Sequence, residues 1–564
     1  MKILPTINHL TAVIVLALST SGPALALTQD YPVAMLGAGS ATASIAGTIG
    51  GVPNSDGLFQ VSDNLTVSAL IPVAAEDVGS SGSFYAVVIN RGQALMKTSS
   101  GAWLPWDGNI DNLQPAREDS ALEAEEMLNV YRSLSGRSGK FDIFVGYKNS
   151  AGTLRYNSMP IHIDIKVDEA DVLKGYVRLA HAGYEDALIT ALQLKEAVIA
   201  FIDNPSQATQ DTAKAAWKAA RIPYLQTETF RFSNPVVDEW EGKVNAWPLD
   251  EGLIDYVDTT LYDSELGNEW SQANIIANNA NITIGGETLD ASNITPELLQ
   301  GLHEVAGSEA NVATGYHAVE FLLWGQDLNG TEEGAGERSY TDYLSGGDCT
   351  NDNCDRRAQY LMAATVLLVE DLQFIVNEWD LQGGTGGQNY ATEFLAGDAE
   401  EGLRKMLFGM GSLSFGELAG ERMKVALIAN STEDEHDCFS DNTHSSYFFD
   451  ALGIKNVYTG TYNRIDGSKV VTTSLAELVA YENADVSDEL VQRMNDSQDA
   501  IQKIVTKAES GEAFDQLIAP GNELGAATIN AAIQSLGQQT IQIEAVAEAL
   551  GITNLNPDAS GHEL

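Results

Sequence analysis

The sequence predicts a mainly α protein: two packed helical bundles preceded by a small β-sandwich-like domain. Three observations lead there. Before residue 168, short β-rich runs alternate apolar and polar residues, the two-residue period of a half-buried strand. Beyond it, apolar residues recur three and four apart, as on a helix with one buried face. The helical part, 168–555, is too long for one four-helix bundle, which favours two bundles built from antiparallel neighbours.

From the N-terminus, residues 1–26 have the make-up of a secretory signal peptide. Lys2 supplies a positive start, 10–18 (LTAVIVLAL) is an apolar core too short to span a bilayer, and Ala24-Leu25-Ala26 is a small-x-small cleavage site. The expected location is therefore outside the cytoplasm, periplasmic or associated with the outer surface. No cysteine follows the cleavage site to take a lipid anchor. No later stretch reaches about 18 uncharged apolar residues, so the mature chain is expected to be soluble.

Residues 27–165 form the predicted β-rich domain. Runs 65–73 (LTVSALIPV) and 84–89 (FYAVVI) are short and β-rich. Run 141–147 (FDIFVGY) alternates, meets the turn Asn149-Ser150-Ala151-Gly152 and returns through 153–156, a hairpin signal. Ile161, Ile163 and Ile165 alternate again. The domain carries no constellation of chemical groups. In the helical part, 171–202 keeps the helical period and stops at Asp203-Asn204-Pro205. Further helical stretches are expected at 296–324, 355–379, 399–429, 487–510 and 525–550, separated by Gly, Asn and Asp clusters such as GGTGGQN at 383–389.

Charge narrows the functional classes. The 31 lysines and arginines face 79 acidic residues, for a net charge of −48. Nucleic acid is excluded as a partner, because phosphate binding needs clustered cations, and an anionic membrane surface would repel the chain. The excess serves solubility, with a diffuse attraction for cations. Cys349 and Cys354 flank the polar tetrapeptide TNDN, and such a pair in an exported protein reads as a local disulfide. Zinc would need more thiols or histidines nearby, and none are there. Cys438 is left over as a buried free thiol.

One stretch draws attention for its chemistry: GYHAVEFLLWGQD, 315–327. His317 and Glu320 are three apart, so a helix projects both from one face. Imidazole with carboxylate suits iron, zinc or manganese, but two ligands complete none of those shells. The following Phe-Leu-Leu-Trp implies burial, and a buried charge needs a partner. In a helix-rich chain such a pair is more often a surface pair or a satisfied core histidine. Helical zinc peptidases carry His-Glu-x-x-His, with the glutamate as base. Here Ala318 stands where that base would be, and His303-Glu304 is followed at 307 by glycine. The run 433–444 (EDEHDCFSDNTH) places two histidines among five carboxylates, as an acidic capping loop or as a second half-site. Segment 230–248 (FRFSNPVVDEWEGKVNAWP) is aromatic and carries Arg231, and 409–422 (GMGSLSFGELAGER) is rich in small residues that allow close approach. An EF-hand at 327–330 fails because its glycine is not at the sixth loop position.

Together these stretches resemble the imelysin-like family of exported bacterial proteins, over roughly 170–555. GYHAVE matches its G-x-H-x-x-E signature, and EFLLWGQD, FRFSNPVVDEWEGKVNAWPLDEGLIDYVD, GSLSFGELAGERM and DEHDCFSDNTH look like its iron-regulated branch. The resemblance implies an all-helical fold of two four-helix bundles, a site between them and a role in iron uptake or homeostasis. It places the signature on Gly315, His317 and Glu320, the latter two as metal ligands. Arg231, Ser233, Asp327, Asp441 and His444 are further ligand-binding candidates, because their segments match and their side chains could reach a shared cleft.

The leading expectation is an exported protein that binds iron, or an iron-bearing small ligand, in a cleft between the bundles. Zinc or another transition metal is not separated from iron. One alternative is a metallopeptidase of zinc type, the label under which the family was first described; the missing second histidine and adjacent base argue against it. The other is a non-metal interaction protein whose β domain docks a cell-envelope protein.

Overall fold

The computed structural model describes residues 42–46, 48–49, 52–53, 58–60, 65–134, 138–157, 160–258, 268–284, 286–382 and 387–559. The signal-peptide segment 1–26 lies outside the described residues. The chain divides into two compact units, 1–171 with 477–484, and 172–476 with 485–564.

The first unit is a sandwich of two sheets. One joins Thr42–Ala46, Leu65–Pro72 and Glu125–Leu134. The other runs Leu58–Gln60, Ile161–Lys166, Gly139–Asn149, Gly82–Asn90, Gln93–Lys97 and Trp103–Pro105. Period-two alternation puts Val67, Ala69 and Ile71 on one inner face and Phe84, Ala86, Val88, Ile143, Val145, Ile163 and Ile165 on the other, and together they form the core. The hairpin after Gly139–Asn149 returns with Tyr147 opposite Arg155. Buried Asp77 is held there by Tyr147 Oη at 2.9 Å and Arg155 Nε at 3.0 Å.

The second unit is helical. One bundle consists of Gln207–Leu225, Pro235–Asn245, Gly315–Trp324 and Cys354–Glu378. The other begins with a continuous rod, Ala399–Ser412, then the π-helix Leu413–Val425, then Ala426–Ala429. Thr443–Thr459, Ala484–Glu509 and Glu523–Ala549 complete it. Its core joins Leu418 and Met423 of the rod to Tyr447, Ile501, Ile504 and Leu536. The long Glu169–Asp203 helix brings Tyr176 and Tyr184 against Phe230, Trp240 and Trp379. The Cys354–Glu378 helix is long and apolar enough to cross a membrane by length and composition, and 56% of its most apolar window is buried within the fold.

Two expectations need correction. The stretch 296–324 is not one helix but two, Pro296–Leu302 and Gly315–Trp324. Between them Glu304, Ala306 and Gly307 all have positive φ, which no continuing helix tolerates. Helix Thr443–Thr459 went unanticipated because its single buried stripe includes the polar Thr443, Ser446 and Asp450 while Phe448 and Phe449 lie off it, which blurs the apolar period. Cys349 and Cys354 are disulfide-bonded. Cys438 is a free thiol, half-buried rather than fully so.

Candidate metal site

The Gly315–Trp324 helix has all ten residues buried. Its start demands glycine: Gly315 has φ +83°, and a Cβ there would lie 2.5 Å from the Val244 carbonyl oxygen. From this helix His317 and Glu320 project together, as their spacing predicts. His317 Nδ1 lies 2.9 Å from Glu320 Oε2. Glu320 Oε1 accepts from the Ser440 amide at 3.1 Å and the Ser440 hydroxyl at 2.7 Å. Nε2 of His317 is buried and has no hydrogen-bond partner.

The opposite wall comes from the loop before Thr443–Thr459. The His436 ring lies 5.0 Å from that of His317, nearly edge-on, and 5.4 Å from Trp247. His436 Nδ1 is also buried without a hydrogen bond, although Asp437 Oδ1 is 3.5 Å away. Asp437 is held firmly. Its Oδ1 accepts from Arg221 Nη2 at 2.9 Å, and its Oδ2 from Ser446 Oγ at 2.5 Å and Asn442 Nδ2 at 3.0 Å. Arg221 is fixed in turn by Asn245 at 2.5 Å. One ligating atom each from His317, His436 and Asp437 lies within 4.8 Å of the others. A carboxylate has about four lone-pair positions, so Asp437 retains one beyond its three hydrogen bonds.

Burial sets the charge states. It pushes His317 down to about 3, helped by the nearby Arg221 guanidinium. Burial, then Arg422, likewise drives His436 well below its ordinary value. Both imidazoles are therefore neutral at pH 7, the form that ligates metals. Glu320 is driven well above the usual carboxylate range by burial and then by Asp437. Burial pushes Asp437 up, but Arg221 together with the hydrogen bonds from Ser446 and Asn442 outweighs this and holds it below the usual carboxylate range. Two neutral imidazoles with free nitrogens and one carboxylate form a donor set suited to Fe(II) and to zinc. Glu320 sits where it can receive the other ring N–H of a ligating histidine, fixing its tautomer and orientation.

The other candidates fall in four places. Arg231 ion-pairs with Glu241 at 3.4 Å and Glu417 at 3.7 Å, beside Arg422, which binds Glu228 at 2.7 Å, Asp450 at 2.8 Å and Glu417 at 2.9 Å. Ser233 has φ 77° and donates to the Lys405 carbonyl at 3.0 Å, a loop-fixing role. Asp327 raises Asp441 electrostatically, and both act on Glu435. His444 opens the Thr443–Thr459 helix, with a buried Nδ1 that has no partner. The small residues at 409–422 do permit close approach: a Cβ on Gly409 would sit 2.5 Å from the Thr229 carbonyl oxygen.

Sequence reasoning singled out the loop 433–444 but passed over His436 and Asp437. Nothing local distinguishes them from their acidic neighbours, since their partner His317 is remote in the chain. Arg221 was more readable. It shares the apolar stripe of Trp217, Ala220 and Tyr224, and a charge on a buried stripe asks for a partner.

Two bundles that meet over a buried histidine–carboxylate group define a helical protein with a candidate metal centre inside it. The chain belongs to the imelysin family: the family model described as Imelysin matches residues 180–543, leaving out the sandwich. It is 30% identical over 83 residues to a protein named iron-regulated protein A of Synechococcus elongatus (strain ATCC 33912 / PCC 7942 / FACHB-805). That match takes in 14% of this chain and spans 23% of the relative's length. A solved structure of a Parabacteroides distasonis ATCC 8503 protein, described as an iron-regulated protein A precursor, superposes with TM-score 0.49 at 20% identity. It covers 68% of this chain and 94% of its own, a likeness too distant to bear on the site.

Proposed function

We propose that this protein is exported and binds a transition metal, iron first, through His317, His436 and Asp437, in the service of iron uptake or homeostasis. Glu320 orients His317 rather than ligating directly. The carrying observation is a pair of buried, neutral imidazoles, each with a ring nitrogen that lacks a hydrogen-bond partner, and a carboxylate, with one ligand atom of each residue within 4.8 Å of the others. Orphaned buried ring nitrogens are costly unless something binds them. The iron assignment draws on family membership and on the name of the Synechococcus relative; export draws on the signal-like N-terminus. Binding fits better than hydrolysis, because both oxygens of Glu320 are engaged and a general base must be free to reach its proton.

The test is elemental analysis of the purified chain followed by titration with Fe(II) and Zn(II). Stoichiometric binding is expected, abolished in His317→Ala/His436→Ala and in His317→Ala/Glu320→Ala. Binding unchanged in the first double variant would sink the assignment.

A further inference from the structure

A second group of side chains stands apart from the histidines. Glu435 is 1% exposed and Asp515 is 0% exposed. With Asp441 they offer three carboxylate oxygens that all lie within 4.8 Å of one another. They come from distant parts of the chain: two from the loop before Thr443–Thr459, and Asp515 from the short Phe514–Leu517 turn. Asp327, just beyond the Gly315–Trp324 helix, adds its negative charge to all three.

Apart from the Thr443 hydroxyl beside Glu435, these carboxylates lack what buried acids need. Neither oxygen of Asp515 makes a hydrogen bond, and the same holds for Glu435 Oε1 and Asp441 Oδ1. The amides of Asp515 and Gln516 favour the charged form of Asp515 only weakly, without bonding geometry. Lys218 opposes Asp441, but its Nζ is already bonded to the Ser440 carbonyl oxygen at 3.0 Å. The strongest influences on Glu435 and Asp515, after burial, are other acids. Burying a carboxylate without a partner is costly, and here at least three converge.

We infer that Glu435, Asp441 and Asp515 bind a hard divalent cation, Ca²⁺ in the first place, with Asp327 at its edge. The donor set is all oxygen, the preference of Ca²⁺, which takes six to eight such ligands and completes its shell with water or carbonyls. Asp441 and Asp327 are partly exposed, so water and the ion can reach the site. Mg²⁺ is less suited, because it demands near-ideal octahedral geometry. The ion would clamp the 433–444 loop to the 515 turn, one residue from His436. The inference does not rest on the transition-metal reading, since it uses none of that site's ligands.

The experiment is equilibrium dialysis of the full chain, stripped with chelator, against radioactive Ca²⁺, alongside Asp515→Asn, Asp441→Asn and His317→Ala/His436→Ala. The expected result is one Ca²⁺ per chain, weakened at least tenfold in each acidic variant and unchanged in the histidine variant. Circular dichroism checks folding; should Asp515→Asn fail to fold, the partly exposed Asp441→Asn decides. No saturable Ca²⁺ binding by the native chain overturns the inference, as does native-like binding in the folded acidic variants. Loss only in the histidine variant would also overturn it, by moving Ca²⁺ to the other site.

Discussion

Asp255 and Asp515 are both inaccessible carboxylates, and the fold treats them in opposite ways. Asp255 receives Arg357 Nε at 2.6 Å and Arg338 Nη1 at 2.7 Å, with all three side chains at most 2% exposed. Both guanidiniums also pack on the Tyr256 ring. Its pKa is lowered: burial raises it, but the arginines overcome that. Asp515 receives no such partner, and burial followed by Asp441 pushes it up to about 7. At Asp255 the chain supplies arginine to a buried acid. Where it withholds arginine, a proton or an ion must take that place.

The largest expected effect tests the arginine side. Arg357→Ala leaves part of Asp255 uncompensated in the interior and should destabilise the helical unit by about 3–5 kcal/mol. Urea unfolding followed by helical circular dichroism measures this; a loss under about 1 kcal/mol would show that Arg338 suffices and would erase the contrast.

Next comes the histidine group, where neutrality replaces pairing. In Glu320→Gln the remaining oxygen keeps the two Ser440 donors and an NH2 donor faces His317 Nδ1, which reverses the hydrogen bond that sets the ring's tautomer and should weaken metal affinity by about 10–100-fold, read by titration at constant pH. Unchanged affinity would mean the glutamate only fills space.

The acid side is tested by pH. An aspartate whose folded pKa lies above its unfolded value of 3.8 binds more protons when folded, so stability falls as pH rises between the two. For Asp515 that window runs from about 4 to about 7, and for Asp441, raised to about 6 by burial and Asp327, it closes earlier. Glu435 and Asp327 face the same space with the same sign, and Lys218 is the opposing charge. Chelated native protein should therefore gain stability from pH 7 to pH 5 relative to Asp515→Asn, and Ca²⁺ should erase the difference. Parallel thermal-denaturation curves for the two proteins without Ca²⁺ would refute this.

The smallest effect calibrates the rest. Arg493 and Glu489 pair at 2.6 Å on an exposed helix face, 39% and 45% accessible. Arg493→Ala should cost no more than about 0.5 kcal/mol, because water already solvates both groups.

The sequence disclosed whatever depends on local period. The strands of the sandwich alternate, the long helices keep their spacing, and His317 and Glu320 had to share a face. It was silent where neighbours are remote. His436 acquires meaning only from His317, and Asp515 only from Glu435 and Asp441, contacts that no spacing encodes. The broken stretch 296–324 was misread because apolar residues continue through the kink while Glu304 and Ala306 take left-handed backbone. Arg231 and Ser233 were chosen from a matching segment, and in the fold they serve an ion-pair network and a loop carbonyl.

The π-helix Leu413–Val425 has one more consequence. Arg422 Nε reaches Glu417 Oε1 at 2.9 Å, five residues back. In an α-helix it is residues three and four apart that meet; the i to i+5 register of a π-helix brings fifth neighbours together. The stretch is therefore length-locked. Substitutions among its small residues leave the phase alone. A one-residue deletion would let the rod relax to ordinary α-helix, yet turn everything downstream by about 100°. Arg422 would leave Glu228 and Asp450, and the loop carrying Glu435, His436 and Asp437 would start from a different heading. Relatives that retain both sites should keep the residue count here, along with Arg422 and its acidic partners.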